Sequence, residues 1–342
     1  MNNKIIIAVD AMGGENSPKK IIDGIAHFSK KKDNIFFNIY GDKNKIENCI
    51  LGNIPKNIYK IFHTDEFVKD EDTAFSGAKN KKTSMWLAVE SVKNQKSDVV
   101  ISAGNTGALF VVAKLNLEMI DNIDKPALSG LWPNKKGMNV VLDLGANIDC
   151  NEKNLVDFSI MGSSLFKALY PDDECKVALL NIGSEEIKGN EIIKNTYQKL
   201  SEKKNNFIFK GYIEGNKIMS GDVNVIVTDG FTGNVALKTA EGTANFITDE
   251  LKNAFINSIT GKISALINKY NLKKFKDKLD PRKYNGAIFI GLKSPVIKSH
   301  GSTDHVGFSH SLNVCEKIIN GKLIDKIQEN IVKWEIILQK KN

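Results

Sequence analysis

The chain has 342 residues, of which 42% are hydrophobic and 26% charged, and this composition is ordinary for a soluble globular protein with a sizeable core. The formal net charge is +8 and is nearly all lysine, because Arg282 is the single arginine. Base-reading nucleic-acid recognition relies on bidentate arginine, so we expect no nucleic-acid partner. A basic surface favours acidic partners or anionic lipid instead.

Cysteine spacing and hydropathy exclude further classes. The four cysteines are scattered, without a C-x-x-C pair or a plausible metal spacing, and indicate reduced thiols in a cytoplasmic protein. The first apolar run, residues 5–9, is too short for the core of a signal peptide. No stretch approaches the ~20 apolar residues of a transmembrane helix. We therefore expect a cytoplasmic protein that does not span a membrane.

In chain order, short β-branched or aliphatic runs alternate with helix-period segments, which predicts an α/β fold with a mostly parallel sheet. The predicted strands span residues 5–9, 35–40, 58–62, 128–131, 140–144, 177–180, 223–227, 287–291 and 295–297, and one more begins at Val99. The predicted helices span residues 85–92, 109–119 and 155–169, and residues 312–338 are predicted to form a closing helix or helix pair. Two further helices are predicted, one whose first turn holds Pro18 and one that begins at Val235. Residues 64–83 lack a clear pattern and are expected to flank the site as a surface excursion.

A helical excursion interrupts this alternation over residues 245–280. Large apolar residues recur there at helical spacing among many lysines, the pattern of basic amphipathic helices. Three alternatives stay open for it: contact with an anionic membrane, packing in a dimer, or packing against its own domain. Because strands return after it and no linker divides the chain, we predict a single domain over residues 1–342 with this excursion inserted.

Five segments repeat one pattern, in which a strand breaks at Gly with Asn, Asp or Ser before mostly helical sequence. They span residues 5–14, 99–109, 140–149, 177–190 and 223–242. Such a loop suits anion binding, because free N–H groups and the positive end of the helix dipole face the ligand. The carboxyl ends of the strands of an open parallel sheet share one edge. We therefore expect all five loops to converge on one pocket.

Positions in these loops single out candidate functional residues. Lys188 lies between a glycine loop and a helix start, where it can reach a phosphate, and His300 lies at a glycine-containing strand end. In segment 102–109, small residues admit a ligand close to the backbone, while Asn105 and Thr106 supply donors. Ordinary helix capping by the same residue types is the alternative. The residues expected to bind substrate or phosphate are Asp10, Gly13, Gly14, Gly104, Asn105, Thr106, Gly107, Asp143, Asn147, Gly183, Asn190, Asp229, Gly230, Phe231, Gly233, Lys238 and Lys298.

The sequences of common cofactor sites are missing. No G-x-G-x-x-G follows the first strand, and there is no Walker sequence and no G-x-S-x-G. We therefore expect no cofactor. His300, His305 and His310 are five residues apart, a spacing that turns successive side chains ~140° apart on a helix, so we expect no metal site either. A pocket rich in N–H donors, amides and lysines suits phosphate binding and oxyanion stabilisation. Acyl transfer from a thioester to phosphate needs little more than that and correct positioning.

Seven segments, in order along nearly the whole chain, carry a resemblance to a known family. They are DAMGGENSP, SAGNTGAL, LDLGAN, NIGSEEIKGNE, GYIEG, TDGFTGNVALKTAEG and IKSHGSTD. Together they resemble the signature segments of the bacterial phosphate acyltransferase (PlsX) family, the acyl-carrier-protein:phosphate transacylases of phospholipid synthesis. Any one segment alone is not specific, but the ordered set is.

The resemblance implies a Rossmann-like, three-layer α/β/α homodimer, related in fold to phosphotransacetylases and isopropylmalate dehydrogenases. It implies that a long-chain acyl-acyl carrier protein and inorganic phosphate give acyl-phosphate and free carrier protein. It also implies peripheral association with the cytoplasmic face of the membrane through a helical dimer tip, with a glycerol-3-phosphate acyltransferase as the downstream partner. By motif match, Lys188 and Asn234 correspond to residues important for activity.

Three positions depart from the family pattern. Glu15 stands where the family usually has Asp, Lys125 where it has arginine, and Asn216-Lys217 where it has an Arg-Asp pair. These changes affect expectations about carrier-protein affinity and substrate preference rather than about the reaction.

Two other enzymes and a binding module are the alternatives. A phosphotransacetylase-like enzyme that uses short acyl-CoA would need the same kind of pocket, one that binds phosphate and stabilises an oxyanion. A decarboxylating dehydrogenase of related fold should carry metal-binding aspartates and substrate arginines, which the single arginine disfavours. Five anion-binding loops exceed what a simple anion-binding module requires. The catalytic residues expected for acyl transfer are Lys188, Asn234 and His300.

Overall fold

The structure, a computed structural model, describes residues 4–30, 32, 34–50, 52–202 and 206–339. Its strands are β1 (Ile5–Asp10), β2 (Ile35–Gly41), β3 (Tyr59–His63), β4 (Val99–Ser102), β5 (Ala127–Pro133), β6 (Met138–Leu142), β7 (Lys176–Asn181), β8 (Ile208–Glu214), β9 (Val225–Val227), β10 (Ala287–Ile290) and β11 (Val296–Lys298). Its α-helices are α1 (Lys19–Ser29), α2 (Lys43–Ile50), α3 (Ala74–Lys79), α4 (Ser84–Lys93), α5 (Thr106–Asn116), α6 (Glu152–Leu169), α7 (Glu191–Ser201), α8 (Gly230–Ile256), α9 (Ile259–Ile267), α10 (Lys269–Leu279), α11 (His305–Asn320) and α12 (Leu323–Gln339).

All of the described strands belong to one sheet, in the order β3-β2-β1-β4-β11-β10-β5-β6-β9-β7-β8. Seven of the ten pairings between these strands are parallel, as the predicted α/β fold requires. The three antiparallel pairings join β11 to β10, β10 to β5 and β5 to β6 in the middle of the sheet. The sequence predicts the β5–β6 and β10–β11 pairs, because only short turns at residues 133–137 and 292–294 separate the two strands of each pair.

These antiparallel pairs reverse the direction of the strands across the sheet. Strands β1 to β4 and β11 run one way, whereas β6 to β9 run the other way. The carboxyl ends of β1 and β4 therefore lie at the opposite edge from those of β6, β7 and β9. The expectation that all five glycine loops meet at a single edge is wrong, because the turn at residues 134–137 sends the chain back antiparallel before the third loop.

Helices cover both faces of the sheet and make three layers. On one face, α1, α2, α6, α7, α11 and α12 enclose the largest apolar cluster. On the other face, α4 and α5 cover the β1 and β4 half, and the first turns of α8 cover the β6 and β9 half. Neighbouring strand residues such as Ile7 and Ala8 belong to opposite clusters, as the two-residue period of a strand requires.

Several helices begin earlier than the sequence indicated: α6 starts at Glu152 and α11 at His305, and the same holds for two helices at the glycine motifs. Helix α5 starts at Thr106 after an Asn105 cap, and α8 starts at Gly230 after an Asp229 cap. The glycine-containing motifs at 104–107 and 230–234 therefore lie partly or wholly in the first helical turns rather than in loops. Capping by Asn and Asp satisfies free N–H groups there, which explains why helix propensity alone misplaced these boundaries. Strand β8, at the sheet edge, was not expected from the sequence.

The excursion leaves the sheet through the second half of α8 and continues through α9 and α10. Nearly all of its residues between 242 and 279 are exposed, so it does not pack against its own domain. Its exposed apolar side chains are Phe246, Ile247, Ile256, Ile259, Ile263, Leu266, Ile267, Tyr270, Phe275 and Leu279. Within the described part of the chain, no helix combines the length and apolarity that crossing a bilayer requires.

Candidate active site

The loops that follow β1, β4 and β11 form a first group through close backbone contact. A Cβ atom on Gly13 would lie 2.5 Å from the Gly104 nitrogen, and one on Gly14 would lie 2.7 Å from the Ala103 oxygen and 2.9 Å from the Gly301 oxygen. Only glycine allows such an approach, and Gly14 also has a φ of +79°. The first and second glycine motifs and the strand end near His300 are therefore brought together as expected.

Asp10 organises this first group from its buried centre. Its carboxylate accepts hydrogen bonds from the hydroxyls of Ser84 and Ser102, each at 2.6 Å, and from the backbone N–H of Met12 at 3.3 Å. Burial raises the pKa of Asp10, while these three donors oppose that rise. Because its oxygens are occupied by the protein itself, Asp10 orders the loops rather than offering a free ligand for substrate.

Lys298 and Lys20 bring two ammonium groups to the first group. Lys298 is 9% exposed and donates to the backbone oxygens of Ala103 and Ser299. Lys20 is 6% exposed and donates to the Gly301 oxygen. Burial, followed by repulsion from Lys20, lowers the pKa of Lys298 to about 8. Burial lowers the pKa of Lys20 as well.

His300 is held at the mouth of this group by its neighbours. Its backbone N–H donates to the Asn285 side chain at 2.9 Å, and its Nδ1 lies 3.0 Å from the Ser302 hydroxyl and accepts from the Ser302 N–H at 3.3 Å. Burial and the Lys298 charge lower the pKa of the imidazole, so the ring is neutral near pH 7. With Nδ1 accepting, the proton of the neutral ring is on Nε2.

The segment 64–83 flanks the first group, as expected. The Asn105 side chain donates to the backbone oxygens of Asp70 at 3.2 Å and Asp72 at 2.9 Å, while its own oxygen caps α5 through Ala108 N–H. Thr106 is exposed in the first turn of the helix, next to Gly107. The capping alternative therefore applies to Asn105, whose side chain is fully used by the protein.

The loops after β6, β7 and β9 form a second group at the other edge of the sheet. Asp143 accepts from the backbone N–H groups of Leu128, Gly145, Ala146 and Asn147, and from the Asn147 amide. Burial raises its pKa, and these donors oppose the rise. Asp143 is thus an internal organiser, like Asp10, and its carboxylate is not free for substrate.

Helix α8 begins in contact with this loop. A Cβ on Gly230 would lie 2.5 Å from the Asn147 oxygen, and one on Gly233 would overlap the Asp143 oxygen, so both glycines permit the contact. Asp229 accepts from the N–H and hydroxyl of Thr232 and caps the helix. Asn234 then lies beside Gly145, and its exposed amide makes no hydrogen bond within the described part of the chain.

Lys188 is placed by Asn181 at the end of β7. The Asn181 amide donates to the Lys188 backbone oxygen at 3.1 Å, and Gly189, with a φ of +95°, packs against the same side chain. A Cβ on Gly183 would lie 3.0 Å from Lys188 Cγ. Asn190 accepts from the Ile193 N–H and caps α7. The Lys188 ammonium is exposed, and no described residue accepts a hydrogen bond from it.

The exposed face of α8 runs between the two groups. Lys238 lies one turn after Asn234 and pairs with Glu241 at 2.8 Å, and the charges of Lys238 and Glu241 act on His300. From Asn234 to Glu241 the helix advances about 10 Å. Large apolar side chains are exposed beside the start of this helix and on the neighbouring loops: Ile148, Ile182, Ile187, Phe231 and Val235.

No thiol in the chain is prepared to act as a nucleophile. Burial raises the pKa of all four cysteines, to about 11 for Cys150 and about 12 for Cys175. A thiol needs to be deprotonated to attack a thioester. Cys150, the cysteine nearest a glycine loop, therefore does not fit the role of an acyl carrier.

The functional residues not foreseen from the sequence are polar side chains that hold the loops. Ser84, Asn181 and Asn285 lie outside the glycine patterns or were not distinguished within them. Lys20 lies in the first turn of α1, and in a chain with 48 lysines and arginines its position gave no reason to select it. Its one distinguishing signal is that the neighbouring inward positions are isoleucines, which places this lysine at the edge of a buried face.

The chain is similar to known proteins over nearly its whole length. A family model described as "Fatty acid synthesis protein" matches residues 5–326. The phosphate acyltransferase of Pelagibacter ubique is 69% identical over 333 residues, which are 97% of this chain and 100% of the relative. The phosphate acyltransferases of Paramagnetospirillum magneticum and Rhodospirillum rubrum are 40% and 39% identical and cover 96% and 98% of this chain, and 94% and 97% of their own lengths.

Solved structures show the same fold at low sequence identity. EutD phosphotransacetylase from Staphylococcus aureus has a TM-score of 0.60 and 13% identity, covering 94% of each chain. A branched-chain phosphotransacylase from Enterococcus faecalis has a TM-score of 0.58 and 12% identity, covering 92% of this chain and 99% of that one. The fold is therefore the Rossmann-like α/β/α type expected from the sequence. On the relatives that match nearly end to end, the chain belongs to the phosphate acyltransferase family.

Proposed function

We propose that the protein transfers a long-chain acyl group from the thioester of acyl carrier protein to inorganic phosphate, giving acyl-phosphate and free carrier protein, an early step of phospholipid synthesis. The observation that carries the proposal is that some polar side chains of the site are held by protein hydrogen bonds and others are free. Asp10, Asp143 and Asn105 are occupied by protein hydrogen bonds, whereas Lys188 and Asn234 present free, exposed polar ends. The name shared by the relatives supports the same reaction class.

The chemistry requires a nucleophile, oxyanion stabilisation and a proton for the leaving group. A phosphate oxygen attacks the thioester carbonyl carbon, the tetrahedral oxyanion collapses, the C–S bond breaks, and the departing thiolate takes up a proton. Lys188 and Asn234 donate to the developing negative charge. The Nε2–H of the neutral His300 ring donates a hydrogen bond to the departing sulfur, and the proton that the thiolate takes up comes from the hydrogen-phosphate nucleophile through water. The raised thiol pKa of Cys150 supports direct transfer to phosphate rather than transfer through an acyl-enzyme.

An apolar surface beside the second group supports a long acyl chain as substrate. Ile182 and Ile187 are 83% and 77% exposed on the loop that carries Lys188, and Phe231 is 63% exposed on the first turn of α8. Exposed apolar side chains that surround polar groups mark binding sites more often than isolated ones do. A short acetyl group would leave this surface in water.

The reaction is tested by phosphate-dependent release of free thiol from palmitoyl-acyl carrier protein, with the product trapped by hydroxylamine. Release that requires phosphate and gives a trappable acyl-phosphate is the expected result. Turnover of short acyl-CoA without turnover of the carrier-protein thioester would favour the second candidate, a phosphotransacetylase-like reaction, which the fold of EutD phosphotransacetylase makes reasonable. No product from either thioester would reject both.

We further propose that the protein is a cytoplasmic homodimer that contacts anionic membrane peripherally through α8, α9 and α10 and passes its product to a glycerol-3-phosphate acyltransferase. The exposed apolar side chains of the excursion, interleaved with the lysines of α10, support this. An acyl-phosphate is a reactive lipid, so release beside a membrane acceptor avoids its hydrolysis in water.

A further inference from the structure

Two lysines are buried near each other at the edge formed by β1, β4 and β11, and their positive charges are not neutralised by ion pairs. Lys20 and Lys298 are 6% and 9% exposed. The described residues place no carboxylate oxygen within 4.0 Å of either ammonium. Their acceptors are the neutral backbone oxygens of Gly301, Ala103 and Ser299.

Such an arrangement is costly unless an anion completes it. Buried charges in proteins are normally paired or hydrogen-bonded to opposite charge, because the loss of hydration is otherwise not recovered. Here the two cations also repel each other, and that repulsion contributes to the lowered pKa of Lys298. Neutral residues at these two buried positions would therefore make the fold more stable than the two charged lysines do.

The nearby carboxylates do not resolve the imbalance. Asp10 is buried, but both of its oxygens accept hydrogen bonds from serine hydroxyls. Glu15 and Asp70 act on Lys20 electrostatically, yet both are exposed and face water. None of the three forms an ion pair with Lys20 or Lys298 within the described ranges.

The start of α5 adds hydrogen-bond donors on the same side. One of the two oxygens that Lys298 contacts belongs to Ala103, three residues before the first residue of the helix, Thr106. Backbone N–H groups in the first turn of a helix have no partner within the helix, and the helix dipole favours an anion there. Asn105 caps only one of them, through Ala108 N–H.

We propose that Lys20 and Lys298, together with the first turn of α5, bind an oxyanion of the phosphate class, and that Lys20 is a substrate-positioning residue. The assignment rests on the proposed acyl transfer to phosphate, and the expected ligand is the inorganic phosphate that reacts. The phosphate diester of the carrier-protein arm has the same chemistry and is the other source that the experiment separates.

Binding is measured first, without turnover, by isothermal titration of the full-length chain with inorganic phosphate. Lys20→Gln removes the buried charge, and Lys19→Gln makes the same change on the next residue, whose side chain is 73% exposed and pairs with Asp23. Losing a charged hydrogen bond should weaken phosphate binding about tenfold or more in Lys20→Gln. Lys19→Gln should bind as the wild type does.

Kinetics then identify the source of the phosphate group. A raised KM for phosphate in Lys20→Gln, with the KM for acyl carrier protein unchanged, assigns the site to inorganic phosphate. A raised KM for the carrier-protein substrate alone assigns the site to its phosphate diester. If neither KM nor the titration differs from those of Lys19→Gln, the proposal is rejected.

Two controls separate loss of binding from loss of fold. Lys20→Arg keeps the charge and should restore most of the phosphate binding. In phosphate-free buffer, Lys20→Gln should melt at or above the wild-type temperature because it removes a repulsion, while added phosphate should stabilise only the wild type. Because titration does not require turnover, phosphate binding can be established even if the acyl-transfer reaction is not found.

Discussion

Lys188 and Asn234 differ from Asp10, Asp143 and Asn105 because their side chains end in solvent without a hydrogen-bond partner among the described residues. Asp10, Asp143, Asn105 and the cap Asp229 were also expected to bind ligand, yet they hold the loops together. The sequence singled out these segments because glycine and Asx residues mark strand ends. It could not separate ligand contacts from caps, because both uses select the same residue types.

Removing the Lys188 ammonium should reduce catalysis without affecting the fold. The loss of one donor to a developing oxyanion costs about 100-fold or more in turnover, so Lys188→Ala should fall by at least that amount. Its side chain is exposed, so the melting temperature should not change. Lys210→Ala, an exposed lysine on the edge strand β8, is the matched control and should keep full activity. Near-normal turnover in Lys188→Ala would remove it from the mechanism.

Phosphate binding should weaken as the pH rises above about 8. Burial and Lys20 lower the pKa of Lys298 to about 8, so its ammonium becomes neutral through that range. The KM for phosphate, measured at pH 7, 8 and 9, should rise over the last interval. A flat profile would show that Lys298 stays charged or does not contact phosphate.

The same titration should affect stability with a definite sign. The pKa of Lys298 is lower in the folded chain than in the unfolded chain, so the fold disfavours the charged form. This cost is fully present below about pH 8 and is relieved as the pH rises towards the unfolded pKa near 10.5. The contribution of Lys298 to the free energy of unfolding should therefore increase across that range, and Lys298→Met should lose the increase.

Elements were easier to foresee than their direction. Strand runs rich in Val and Ile and the β5–β6 turn were visible in the sequence, and the structure confirms both. The reversal of strand direction follows from that antiparallel pair, but local patterns do not report which edge of a distant strand a loop will reach. Sequence therefore predicted five similar loops and missed their division into two groups.

Two glycines in α8 should respond in opposite ways to alanine. At Gly233 a Cβ would overlap the Asp143 oxygen, so Gly233→Ala must move the helix away from the β6 loop and should cost about 3 kcal/mol or more. At Gly242 nothing lies within 4 Å, so Gly242→Ala should stabilise the helix by up to about 1 kcal/mol. Urea unfolding of both variants measures the difference. A tolerated Gly233→Ala would contradict the close contact.

At the scale of the whole molecule, the exposed excursion is the feature that an isolated chain leaves unexplained. Leu266 and Ile267 are 73% and 77% exposed on α9, more than a monomer in water would favour. A partner chain or a lipid surface would cover them. Vesicle binding and the oligomeric state distinguish these two alternatives.

Charged substitutions on α9 should reduce association but not the fold. Ile263→Asp combined with Leu266→Asp should lower co-sedimentation with anionic phospholipid vesicles several-fold, because both side chains are exposed and apolar. Analytical ultracentrifugation of the same variant reports the dimer separately. The control Lys262→Gln removes one charge from the same helix and should act weakly. Unchanged vesicle binding together with an unchanged dimer would exclude α9 from both contacts.

The length of α8 has a consequence for how this protein can vary. A single helix of 27 residues carries Asn234 at one loop group and Lys238 and Glu241 towards the other, with no joint between them. Inserting or deleting one residue between Asn234 and Lys238 would turn everything beyond it by about 100° and shift it by about 1.5 Å. The distance and angle between the two groups of site residues are thus fixed by the geometry of this helix. This stretch should therefore tolerate substitutions on its exposed face but no change in length.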